Sequence, residues 1–107
     1  MNLPLVLKKL LEAQNTSDSV LYSECFSENA LVFDEGKVYK GKDEIRRWNE
    51  KTNTQYQTQI EPLEFSEEGE TYKLKASISG SFEGSPITLT FTFQIENDKI
   101  SSLMISD

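Results

Sequence analysis

Nine residues near the end of the chain, Ile87 to Ile95, alternate without a break. Ile87, Leu89, Phe91, Phe93 and Ile95 are apolar, and Thr88, Thr90, Thr92 and Gln94 between them are polar. Side chains of an extended backbone point to opposite faces in turn, so this run dictates a strand with one apolar and one polar face. Tyr72, Leu74, Ala76 and Ile78 repeat the pattern against Lys73, Lys75, Ser77 and Ser79. A sheet of such strands needs its apolar face covered, and the cover has to come from the other half of the chain.

That half carries helical spacing. Leu3, Val6, Leu7, Leu10 and Leu11 predict a helix to about Gln14, with Pro4 in its first turn, where a missing N–H costs nothing. Asn15 to Asp18 stop it and cap a short second helix carrying Val20, Leu21, Cys25 and Phe26, with Tyr22 at the edge of its apolar face. Ser27-Glu28-Asn29 reads as a break, Ala30 to Asp34 as a strand, Glu35-Gly36 as a turn and Lys37 to Tyr39 as a short return strand. A third helix begins near Asp43, acidic at its start and basic later, with Ile45 and Trp48 on its buried side. From Thr54 onward the pattern is all strand. Tyr56, Thr58 and Ile60 alternate with glutamines, Pro62 implies an edge or a bulge, and turns fall at Ser66–Glu70, Glu83–Pro86 and Glu96–Lys99. Ile100 to Ile105 is the last strand. The expected fold is α+β: a meander of four long strands whose apolar face is covered by N-terminal helices, in one domain spanning residues 1–107.

Charge and composition narrow the function. Eleven basic and 18 acidic side chains leave a net charge of −7 with no basic stripe, so a nucleic-acid backbone is an unsuitable partner. No apolar run approaches the ~20 residues that span a bilayer, no leader pattern opens the chain, and Cys25 has no partner for a disulfide. Those features lead to the expectation of a cytoplasmic protein without membrane contact. The chain has no histidine. A Ser-His-Asp triad and a His-ligated metal site are therefore excluded within it, and acid–base chemistry falls to a carboxyl, a Tyr, a Lys or Cys25. No glycine-rich phosphate loop is present, and neither a metal nor a cofactor is expected.

The stretch Phe26-Ser27-Glu28-Asn29-Ala30-Leu31-Val32-Phe33-Asp34, followed by Tyr39-Lys40-Gly41-Lys42-Asp43-Glu44-Ile45-Arg46-Arg47-Trp48, resembles the nuclear transport factor 2-like superfamily. That superfamily includes SnoaL-like polyketide cyclases and ketosteroid isomerases. The resemblance extends over the element order of the whole chain. It implies a cone-shaped, strongly curved antiparallel sheet wrapped around the N-terminal helices, with a cavity between them. In the isomerases a carboxylate at the end of the first strand shuttles the substrate proton, and Asp34 holds the matching position. Their oxyanion donors, a Tyr on the first helix and an acid on an inner strand, fall here on Leu10 and on Phe91 or Phe93, which disfavours steroid isomerisation.

Asp34 is accordingly the catalytic candidate; the plainer role for it is to begin the Asp-Glu-Gly turn by bonding local N–H groups. Tyr22, Phe26, Trp48, Leu74, Leu89, Phe91, Phe93 and Leu103 are the candidates for lining a pocket for a small apolar ligand; the same residues also suit a filled core. The resemblance further implies a homodimer through the polar outer face, at Ser77, Ser79, Thr88, Thr90 and Thr92, a pattern equally suited to a solvated face. Three functions follow as expectations: a ligand-binding domain, an isomerase-, cyclase- or hydrolase-type enzyme using Asp34, and a dimerisation module with a filled cup.

Overall fold

The alternating runs at 72–78 and 87–95 form the strands they predict. A computed structural model describes residues 1–107. The helices are α1 (Leu5–Asn15), α2 (Ser19–Glu24) and α3 (Gly41–Tyr56). The strands are β1 (Phe26–Asp34), β2 (Lys37–Lys40), β3 (Gln59–Glu68), β4 (Thr71–Ser79), β5 (Ile87–Glu96) and β6 (Lys99–Ser106). They make one six-stranded sheet in the order β2-β1-β6-β5-β4-β3. The C-terminal four are the expected meander. The expected all-antiparallel sheet is corrected at one seam, since β1 runs parallel to β6. The α3 and meander segments lie between those two strands in sequence, and a crossover of that length permits parallel pairing.

The sheet is curved and unclosed, and three irregularities mark its pairings. Register shifts between Phe26 and Leu31 in β1, at Pro62–Glu64 in β3 and opposite Gln94–Ile95, where Ser101 is the extra residue in β6. Each extra residue bends its strand and increases the local twist. Pro62 thus sits both on an edge strand and at a bulge. The turns are set by positive φ: Glu35 and Gly36 join β1 to β2, and Asn97 and Asp98 join β5 to β6. Two successive positive φ values match the right-handed twist of the paired strands.

The buried side chains lie on the concave side. Leu7, Phe26, Val32, Ile45, Leu74, Phe93, Ile100 and Leu103 are the largest that are fully enclosed. Helix α3 packs on β1, β2 and α2, whereas α1 packs on α2 and β3. The convex face carries Thr88 and Ser79 exposed and Ser77, Thr90 and Thr92 half-buried. Its apolar part is a row across the ladder, Val38–Phe33–Met104, that ends on Thr92. No helix is long and apolar enough to cross a membrane.

Several local expectations are revised. Phe26 opens β1 instead of ending α2, and Ser27-Glu28-Asn29 is a bulged part of β1. Val20 and Leu21 are 56% and 53% exposed, while Ser19, Tyr22 and Ser23 face inward. Polar tethering decides that rotation: the Asp18 carboxylate caps the Leu21 N–H at 3.0 Å, and Ser19 Oγ donates to the buried Asn49 Oδ1 at 2.7 Å. Helix α3 continues to Tyr56, so the strand expected from Thr54 begins only at Gln59. Its inner stripe of Ile45, Asn49 and Asn53 turns polar toward the end, and Gln57 in the left-handed region stops it. Strand β3 runs on to Glu68, leaving only Gly69 and Glu70 as the turn.

Candidate functional site

Between α3 and the concave face of β5 lies a cavity of about 840 Å³. One wall is the inner row of the alternating strand: Ile87, Leu89, Phe91 and Phe93, with Ile78 and Ile105 beside them. Leu10 and Leu11 of α1 form the back. Helix α3 supplies the facing wall through Trp48, Thr52 and Tyr56. The loop after β4 closes one end. Ser81 N–H donates to the Tyr56 carbonyl at 2.7 Å, and the Phe82 ring meets Tyr56 edge-on at 5.9 Å. Gly80 allows that approach, since a Cβ there would stand 2.6 Å from the Tyr56 carbonyl oxygen.

The deep end is polar and closed by hydrogen bonds. Gln14 Nε2 donates to Asn53 Oδ1 at 2.9 Å and to Thr58 Oγ1 at 2.7 Å, and its Oε1 accepts from Asn49 Nδ2 at 2.9 Å. Asn53 Nδ2 in turn donates to Asn49 Oδ1 at 3.1 Å. All four side chains are buried, and no buried side-chain nitrogen or oxygen lacks a partner. A buried polar network fully satisfied in this way fixes the positions of its members and leaves little freedom to rearrange.

A second polar group lies against the β1 wall, and its members are not tied up. Asp34 lines the cavity half-buried. The turn that follows is closed by backbone pairing of Asp34 with Lys37, and the carboxyl takes no hydrogen bond from it. Burial raises the Asp34 pKa above the ordinary carboxylate range, and the neighbouring Glu35 charge adds to this; the Trp48 indole N–H partly opposes both without closing into a well-aligned bond. Tyr22 is 4% exposed and packs against Phe26 and Trp48. Its hydroxyl makes no hydrogen bond within the protein, yet no enclosed polar atom is unpartnered, so the hydroxyl opens on the cavity. Burial, then the nearby Cys25 and Asp34, raise its pKa and keep it a neutral donor. The Tyr39 ring stacks on Trp48 at 5.4 Å and holds the indole in place.

Of the residues predicted for a pocket, Tyr22, Asp34, Trp48, Leu89, Phe91 and Phe93 surround this cavity. Phe26, Leu74 and Leu103 do not: they are fully enclosed in the core, Leu74 and Leu103 on the same concave face as their cross-strand partners Phe91 and Phe93 but covered by packing. Leu10, and Phe91 or Phe93, on which the resemblance lets the isomerase oxyanion donors fall, all line the cavity with apolar side chains. The Gln14–Asn49–Asn53–Thr58 cluster was not foreseen. Its trace in the sequence is Ile45, Asn49 and Asn53 at intervals of four, the stripe a buried helix face occupies. Cys25 is a buried thiol with its pKa raised by burial, and it ends α2.

No protein-family profile matches the sequence, and neither does any curated protein. Solved structures do match. A proposed polyketide cyclase from Sinorhizobium meliloti is 35% identical, superposes with a TM-score of 0.93, and is matched over 97% of this chain and 95% of its own. The epoxide hydrolase/cyclase-like enzyme SalBIII, of pyran ring formation in salinomycin, is 21% identical with a TM-score of 0.82, over 94% and 86% of the two chains. A protein of ketosteroid isomerase-like fold from Catenulispora acidiphila is 14% identical with a TM-score of 0.88, over 99% and 87%. The last two share the fold. Identity to the first, over nearly the full length of both chains, shows more: this chain belongs to the nuclear transport factor 2-like superfamily, among its SnoaL-like, polyketide cyclase-related members.

Proposed function

We propose that the cavity binds a small, mostly apolar molecule and that Asp34 moves a proton on it, in an isomerase- or cyclase-type reaction. The observation that carries this reading is the Asp34 carboxyl, raised in pKa and unbonded to its own turn, on the wall of an apolar cavity. Burial of that kind brings a carboxyl closer to the operating pH, where it both takes and returns a proton. Asp34 as carboxylate accepts a proton from a carbon or hydroxyl of the bound molecule. The Tyr22 hydroxyl donates to the oxygen on which negative charge gathers, the role the apolar Leu10, Phe91 and Phe93 do not fill. Asp34 then returns the proton to another atom of the same molecule. Atoms and electrons balance with no co-reactant, as a ring closure or a double-bond shift requires. The name of the Sinorhizobium relative points to the same class.

A panel of linear polyketide-type ketones, incubated with the protein and followed by mass spectrometry and NMR, tests this. Asp34→Asn is expected to lower turnover by about 10²–10⁴-fold, the range of general acid–base catalysis, while a bound product still raises the melting temperature. Full turnover in Asp34→Asn would remove the carboxyl from the reaction.

A further inference from the structure

The amide cluster at the deep end of the cavity holds one donor more than it spends. Gln14, Asn49 and Thr58 line that end, and all three are buried. A primary amide nitrogen carries two N–H and a hydroxyl one O–H, so the donors can be counted. Gln14 spends both N–H, on Asn53 Oδ1 and on Thr58. The Thr58 hydroxyl donates to Asn53 Oδ1 at 3.3 Å, and the Ser19 hydroxyl donates to Asn49 Oδ1. Asn49 Nδ2 donates one N–H to Gln14 Oε1, and the other meets no acceptor in the protein. Asn53 Nδ2 also keeps a spare N–H, since it donates only to Asn49 Oδ1, but Asn53 borders a separate polar cleft with Ser17, Ser19 and Gln57. Asn49 is 3% exposed and borders the cavity alone, so its free N–H has only the cavity to face.

From this count we infer that the molecule the cavity takes carries a neutral carbonyl oxygen at its inner end, held by the second Asn49 N–H. The inference rests on the reading of the cavity as a binding site and adds a polar group to what binds, apart from the atoms at Asp34. An apolar inner end would strip water from a buried N–H and return nothing, whereas a carbonyl oxygen replaces the lost bond. The group is an acceptor because the unspent group is a donor. It is neutral because the cluster consists of amides and hydroxyls, with no charge to balance a carboxylate. Asn49 is held ready for it, since Ser19, Gln14 and Asn53 fix its other hydrogen bonds. Orientation follows: the carbonyl lies in the amide cluster and the apolar body along Leu10, Phe91 and Phe93, which leaves the reacting carbon to Asp34 and Tyr22.

Acetonaphthone and isopropenylnaphthalene have the same shape, with a carbonyl oxygen in the first where the second has a methylene. In calorimetric titrations the ketone is expected to bind wild-type protein about tenfold more tightly, the worth of one buried hydrogen bond. In ¹H–¹⁵N spectra one of the two Asn49 side-chain amide protons is expected to lie further downfield in the ketone complex than in the hydrocarbon complex. Tyr22→Phe removes the hydroxyl that also opens on the cavity and is expected to keep the preference, and Asn49→Leu is expected to lose it. The spectra read Asn49 in wild-type protein, so they decide the matter even where Asn49→Leu fails to fold. Equal affinities in wild type, an Asn49 amide that is the same in both complexes, or a preference lost in Tyr22→Phe overturns the inference and leaves the cavity reading in place. Binding of neither compound overturns both.

Discussion

Asp34 binds its proton more tightly in the folded chain than in the unfolded one, because folding half-buries it beside Glu35. Ionising a group whose folded pKa is raised costs stability, so its contribution worsens as pH climbs from the ordinary carboxylate value through the raised one. Asp34→Asn is therefore expected to raise the melting temperature at pH 7 and to leave it nearly unchanged below about pH 4. Calorimetry across that range checks the sign. Tyr22→Phe separates packing from chemistry. The ring packing on Phe26 and Trp48 is retained and the lost hydroxyl has no partner in the protein, so stability is expected to move by no more than about 0.5 kcal/mol while turnover falls. Asp34 was legible in the sequence from the family pattern at the end of β1. Its release from the turn was not, since that depends on side-chain direction.

At the scale of elements, strands were read better than helices, for a physical reason. The period of two in β4 and β5 survives in the structure because the middle of one face of each strand is buried, at Leu74, Ala76 and Ile78 and at Phe91 and Phe93. Helix α3 lost its expected end because its buried stripe changes from Ile45 to Asn49 and Asn53, which carry no hydrophobic signal. Those amides make Gln14 a critical residue of α1. Gln14→Leu keeps the bulk but leaves Asn49 and Asn53 short of partners, and urea denaturation is expected to show a loss of about 2–4 kcal/mol. The six-residue α2 is too short for periodicity to choose its face, and Ser19 and Asp18 decide it by hydrogen bonding. The loop after β4 depends on one glycine. Gly80→Ala is expected to push Ser81 from the Tyr56 carbonyl, costing about 1–3 kcal/mol and exposing the Ser81 amide to faster hydrogen exchange.

The molecule as a whole is a curved sheet lined on one side and bare on the other. The family pattern carried its topology, apart from the parallel β1–β6 seam, which no local signal encodes. The proposal that two copies pair through the convex face now includes the Val38–Phe33–Met104 row beside Thr92. It predicts a dimer in sedimentation equilibrium at micromolar concentration that Met104→Lys dissociates; a wild-type monomer throughout that range would count against it. On the concave side, shape and chemistry meet at Asp34, whose pKa is raised only if its carboxyl faces the cavity instead of its turn. The ¹³C shift of the Asp34 carboxyl, followed by NMR from pH 2 to pH 9, reads that directly. A midpoint above the ordinary value of about 3.9 is the predicted result, and a midpoint at or below it contradicts the account.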